Sequence, residues 1–132
     1  FSYGPRPGWV KNPERYTNKL MVVDLNNGKI ISEKQLSKPF PQKIINIGNK
    51  LYINNYTDLD MQGEFFTIID KNNLSESFFA IENPAYFDYN KRFDEFIVSN
   101  PRNGTLRLVK NGKVIKKMKV GDNCSIVKAV EK

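Results

Sequence analysis

From Lys19 onward, short runs of alternating apolar and polar residues are separated by clusters of Asn, Gly and Asp. The runs are rich in β-branched and aromatic residues, and alternation with a period of two marks half-buried strands. The pattern predicts strands at Lys19–Leu25, Lys29–Gln35, Lys43–Ile47, Lys50–Asn55, Phe65–Asp70, Glu76–Ile81, Ala85–Tyr89, Phe96–Asn100, Thr105–Lys110, Lys113–Val120 and Ser125–Val130. Between them, Asn26-Asn27-Gly28, Gly48-Asn49, Asn72-Asn73, Asn103-Gly104 and Asn111-Gly112 supply residues that tolerate the positive φ of tight hairpins. No window of helical length keeps a 3.6-residue apolar period; a short helical turn at Ser32–Leu36 is the one competing local reading. Residues 1–18 hold Gly4, Pro5, Pro7, Gly8 and Asn12-Pro13, which resist both helix and ladder. This segment is expected to be loop-rich, pinned by Trp9 and Tyr16, ahead of a strand domain spanning 19–132.

The strands recur at long range. Val22-Val23-Asp24-Leu25-Asn26-Asn27 is echoed by Ile68-Ile69-Asp70-Lys71-Asn72-Asn73, a shift of 46 residues. Leu51-Tyr52-Ile53-Asn54-Asn55 is echoed by Phe96-Ile97-Val98-Ser99-Asn100, a shift of 45. Pro39-Phe40-Pro41 and Asn83-Pro84-Ala85 stand at equivalent joints. A period of about 40–50 residues holding four short strands is the sequence mark of a propeller blade. Units of about 19–42, 43–82, 85–121 and 125–132 follow, two complete and two partial. In each complete unit the first strand is expected to be innermost and the fourth outermost.

The segments KLYINNYTDLDMQGEFFTIIDKNNL and EFIVSNPRNGTLRLVKNGKVIKKMKVGDN resemble the YVTN-type repeats of bacterial β-propellers, related to NHL-like and PQQ-like blades. The resemblance implies an all-β fold of antiparallel four-stranded blades, a partial β-propeller. It also implies a bacterial source and a binding scaffold. A propeller closes with about four to eight blades, so the missing ones are expected from the same parent chain or from self-association. The chain opens on Phe1, as a processed form or a fragment would. A single antiparallel barrel or sandwich is the alternative fold.

Composition narrows the chemistry. The chain has 132 residues and no histidine, which removes His-based acid–base catalysis, Ser-His-Asp triads and His-containing metal sites. Its single cysteine, Cys124, excludes an internal disulfide, and it lacks a basic neighbour in sequence that would mark it as a nucleophile. Phosphate loops and dinucleotide fingerprints are missing. No cofactor, metal or catalytic residue is assigned, and no apolar run is long enough to span a bilayer. Sparse cysteine leaves the compartment open, with an extracellular or periplasmic setting preferred.

The first complete unit carries an insertion, Thr57–Gly63, between its second and third strands. Insertions in repeat proteins fall on loops of one face, often the binding face. Asp58 and Asp60 there imitate the start of a calcium loop, but Ile69 stands where the closing bidentate carboxylate belongs. The candidate ligand face is therefore built from Asn12–Asn18, Ser37–Pro41, Tyr56–Gly63, Glu82–Pro84 and Pro101–Asn103, with Phe40, Tyr56, Asp58, Asp60 and Arg102 as binding residues. Aromatics would supply contact area and charges would orient a protein or a small polar ligand.

The net charge is +7, and between Pro101 and Val120 seven basic residues stand with no acid. Lys113, Lys116, Lys117 and Lys119 fall on the expected outermost strand, where lysine blocks edge-to-edge aggregation. Nucleic acid is thus not the expected partner. An OB-like barrel binding single strands is the alternative function, and a fragment of a propeller hydrolase or lactonase a further one. The pairs Phe65-Phe66 and Phe78-Phe79, with Tyr86, Phe87 and Tyr89, are expected to pack between neighbouring sheets.

Overall fold

The Asn-Gly and Asp-Asn clusters act as hairpin turns, and each turn reverses the chain between two strands. A computed structural model describes residues 18–38, 40–55, 65–121, 124 and 127–130. Among them are ten strands: β1 (Lys19–Val23), β2 (Ile30–Gln35), β3 (Pro41–Ile47), β4 (Lys50–Asn55), β5 (Phe65–Asp70), β6 (Glu76–Ala80), β7 (Tyr86–Asn90), β8 (Glu95–Asn100), β9 (Thr105–Lys110) and β10 (Lys113–Lys119). The described residues contain no helix, and Ser32–Gln35 lies inside β2. Every strand pair is antiparallel.

The chain is all-β, in three open antiparallel sheets: β1-β2, β3-β4-β5-β6 and β7-β8-β9-β10. None closes into a barrel. Strand order within each four-stranded sheet follows sequence order, as the repeat predicts.

The two Asp-x-Asn-Asn turns share their hydrogen bonds one for one. In the β1–β2 turn, the Asp24 carboxylate accepts from the Asn26 N–H at 2.9 Å and the Asn27 amide oxygen accepts from the Lys29 N–H at 2.9 Å. In the β5–β6 turn, Asp70 accepts from the Asn72 N–H at 2.8 Å and Asn73 from the Ser75 N–H at 2.9 Å. These side chains mimic backbone turns, which is why Asp-x-Asn-Asn recurs. The residue that follows is at positive φ in both, Gly28 at 70° and Leu74 at 55°.

Packing layers the sheets. Phe66, Ile81, Phe87, Val98 and Val109 form a buried cluster between the two four-stranded sheets, ringed by Ile45, Tyr52, Phe79 and Phe96. Leu36, Ile53 and Ile69 form a second cluster between the β1–β2 hairpin and the β3–β6 sheet. Residues three apart on β5, and so on its opposite faces, serve opposite clusters, Phe66 one and Ile69 the other. Burial of each such side chain contributes roughly 1.5–3 kcal/mol. Phe65 faces away from Phe66 and packs edge-on against Phe78 at 6.3 Å, with the Lys38 ammonium 4.2 Å from its ring centroid.

The first strands of the two four-stranded sheets lie side by side. Lys43 on β3 donates to the Phe87 carbonyl at 2.7 Å and its ammonium is 3.6 Å from the Asp88 carboxylate. Asp88 also receives the Ala129 N–H at 3.0 Å and pairs with Lys128 at 3.1 Å. The predicted strand at Ser125–Val130 is not formed over its described residues Val127–Val130; that stretch instead lies along β7, held by Asp88. At the edge of its sheet opposite β7, β10 leaves Lys113, Lys116, Lys117 and Lys119 exposed.

Candidate functional site

Up-and-down strand order puts the β8–β9 loop and the connections 36–40 and 81–85 at one end of the sheets. The other turns among the described residues fall at the opposite end. Of the residues expected at the loop end, Tyr56, Asp58 and Asp60 lie outside the described residues. Phe40 is buried, packed with Ala85 and Tyr86, so its ring fixes the joint between sheets. Arg102 is exposed, and its N–H donates to the Asn100 amide oxygen at 3.1 Å.

Beneath Arg102 lies a polar cluster that sequence reading passed over. Thr105, Arg107 and Val109 occupy one face of β9 and are all buried. Val109 joins the core, while the Arg107 guanidinium donates to the carbonyls of Glu82 and Asn83, the latter at 3.1 Å. The Asn83 amide donates to Asn100 at 3.0 Å. Burial pushes the Arg107 guanidinium down from its ordinary range, and Glu82 and Cys124 act against that. The Cys124 thiol lies 3.7 Å from the carbonyls of Asn100 and Thr105. Four buried atoms here take no hydrogen bond: Asn83 Oδ1, Ser99 Oγ, Asn100 Nδ2 and Arg107 Nε. Each such group costs about 1–3 kcal/mol, and a polar ligand or water would relieve it.

The β3–β6 sheet carries the neutral version of this arrangement. Thr67 replaces Arg107 and donates to Asn55 at 2.7 Å, while the Asn54 amide reaches the carbonyls of Pro84 and Ala85 at 3.0 and 2.9 Å. The signal in the sequence was an arginine in register with inward-facing residues, which the net charge of the segment concealed.

At the opposite end a cleft of about 340 Å³ is lined by residues of both four-stranded sheets. Lys50, Tyr52, Phe66, Phe79, Asp94 and Phe96 are among its lining residues. The Tyr52 and Phe96 ring centroids are 4.8 Å apart, and those of Phe66 and Phe96 6.0 Å. Asp94 stands at φ 52° in the β7–β8 turn and accepts the Tyr89 hydroxyl at 2.6 Å. Burial, and then the Asp94 charge, raise the Tyr52 phenol above its ordinary value.

Among the described residues, no group of three or more Cys, Asp or Glu is placed to hold a metal ion. No protein-family model matches the chain, and comparison with curated proteins gives no match.

Proposed function

We propose that this chain is a non-enzymatic, propeller-like scaffold module, akin to the bacterial YVTN, NHL and PQQ-like repeats, that binds a protein or a small polar ligand at its loop end. The observation that carries this reading is the set of unpartnered buried polar atoms of Asn83, Ser99, Asn100 and Arg107 beneath exposed Arg102. Polar groups held without partners at one end of an apolar stack favour a ligand that supplies them. The repeated sheets and adjoining first strands support the blade assignment. The β1–β2 hairpin is the outer half of a further blade, and its exposed Val22, Val23, Ile30 and Ile31 need cover. That cover is expected from the remaining blades of the parent chain or from a second copy.

The OB-like alternative rests on a closed barrel, whereas the sheets here are open. Calorimetric titration with inorganic phosphate, neutral disaccharides and short acidic peptides tests the scaffold reading. Saturable binding is expected for at least one of these, weakened in Arg102→Ala, Tyr56→Ala and Asp60→Ala. Binding that all three variants leave unchanged rejects the loop end. Salt-sensitive binding of labelled single-stranded oligonucleotides with no response to the panel replaces it with the nucleic-acid reading.

A further inference from the structure

The cleft at the turn end has the parts of an amine site. Four of its walls are aromatic, from Tyr52, Phe66, Phe79 and Phe96. The faces of such rings carry the negative part of a quadrupole and attract cations. One carboxylate, Asp94, stands at the rim. The Tyr89 hydroxyl binds Asp94 Oδ1 at 2.6 Å, and Oδ2 takes no hydrogen bond among the described residues. The cleft falls at the lower end of the size range of small-molecule sites, about 300–1,000 Å³.

We propose that this cleft binds a small amphipathic monoamine, with its ammonium on Asp94 Oδ2 and its apolar body packed against the joined Tyr52 and Phe96 rings. The charges at the rim select within the amines. Lys50 also lines the cleft, so a second positive charge on the ligand is repelled while a single one is met by Asp94. A neutral body of the same shape gains the aromatic contact and loses the ion pair. An anion of that shape meets the Asp94 charge.

The substitution that isolates the charge is Asp94→Asn. Asparagine is among the few residues at ease at positive φ, so the turn at 52° is kept. Its amide oxygen still accepts the Tyr89 hydroxyl. The experiment is an NMR titration of the whole chain with 2-phenylethylamine, 2-phenylethanol and 3-phenylpropionate as probes. For 2-phenylethylamine, saturable shifts are expected at Tyr52, Phe96 and Asp94 in the millimolar range. Affinity is expected to fall about tenfold in Asp94→Asn and about as much for the alcohol, the scale of one ion pair combined with a cation–π contact. Lys117→Ala, on the exposed edge strand β10 and outside the cleft lining, is expected to leave it unchanged. The proposal is overturned by absence of saturation with the amine, by equal affinity for amine and alcohol, or by an Asp94→Asn variant that binds as tightly as the wild type.

Discussion

Phe40 and Asn83 share a backbone conformation: each stands at positive φ, 51° and 46°, directly before a proline on the approach to the first strand of a four-stranded sheet. The occupants differ. Asn83 fits the left-handed region and uses its amide to reach Asn100. Phe40 tolerates the strain because its ring is buried against Ala85 and Tyr86.

Phe40→Asn therefore trades two effects of unequal size. Relief of the left-handed strain is worth roughly 1–2 kcal/mol. Loss of a buried phenylalanine costs about 3–5 kcal/mol. A net destabilisation of about 1–4 kcal/mol is expected from urea unfolding, the difference of those two terms. Unchanged stability would mean that the ring is not part of the core and is free for ligand contact.

Arg107 ties β9 to the Glu82–Asn83 connection through two carbonyls. In Arg107→Ala the buried Asn83 carbonyl loses its donor, at roughly 1–3 kcal/mol, while the carbonyl of exposed Glu82 can turn to water. Arg107→Lys keeps the charge but not the planar fork, so it is expected to recover only part of the loss. Chemical denaturation measures both. If Arg107→Ala lies within about 0.5 kcal/mol of wild type, the range of ordinary surface changes, the guanidinium does not hold the joint.

The strands were legible because two-residue alternation and Asn-Gly turns are local signals. Observed strand ends fall within two residues of the predicted ones for the ten strands formed. The exceptional segment is Val127–Val130, which makes no ladder with β7 and is held instead by bonds to the Asp88 side chain. The sites were far less legible. Arg107 becomes buried only because carbonyls 24 and 25 residues away receive it. Read locally, it merges with the basic run that ends in the lysines of β10. Asp94 reads as one of two adjacent turn carboxylates, and nothing in its surroundings in sequence places it near Tyr52. Their meeting depends on how two sheets stack, which a period of two does not encode.

Asp88 gives the fold a dependence on acid. Burial alone would raise its carboxyl, but the Ala129 N–H, Lys128, the Tyr89 N–H and Lys43 together hold it below its ordinary value of 3.8. A carboxyl lowered by folding contributes stability above its unfolded value, and that contribution is lost as pH falls through the folded one. Unfolding free energy is thus expected to be flat near neutrality from this group and to decline below about pH 4. Asp88→Asn should lower stability at neutral pH by roughly 1–3 kcal/mol, as for a charge-assisted hydrogen bond, and should make the acid limb shallower. Acid limbs of equal slope in variant and wild type would remove Asp88 from this role.

Tyr89 provides the converse dependence at high pH and reports directly on Asp94. Its hydroxyl is pushed up to about 12 from 10.0, first by donating to Asp94, then by burial and by the charge of that carboxylate. The fold therefore favours the neutral phenol. This contribution is complete below pH 10 and is lost as pH rises through about 12. In Asp94→Asn the amide oxygen still accepts the hydroxyl proton, but the negative charge that opposes phenolate is gone. The Tyr89 transition, followed by NMR of its ring carbons, is expected to move down toward 10.0 while the backbone turn persists. A transition that stays near 12 in the variant would mean that the retained hydrogen bond and burial, rather than the Asp94 charge, hold the Tyr89 proton. The tyrosine titration thus tests the charge that Asp94 presents beside the ring wall without any ligand, independently of whether the right amine has been chosen.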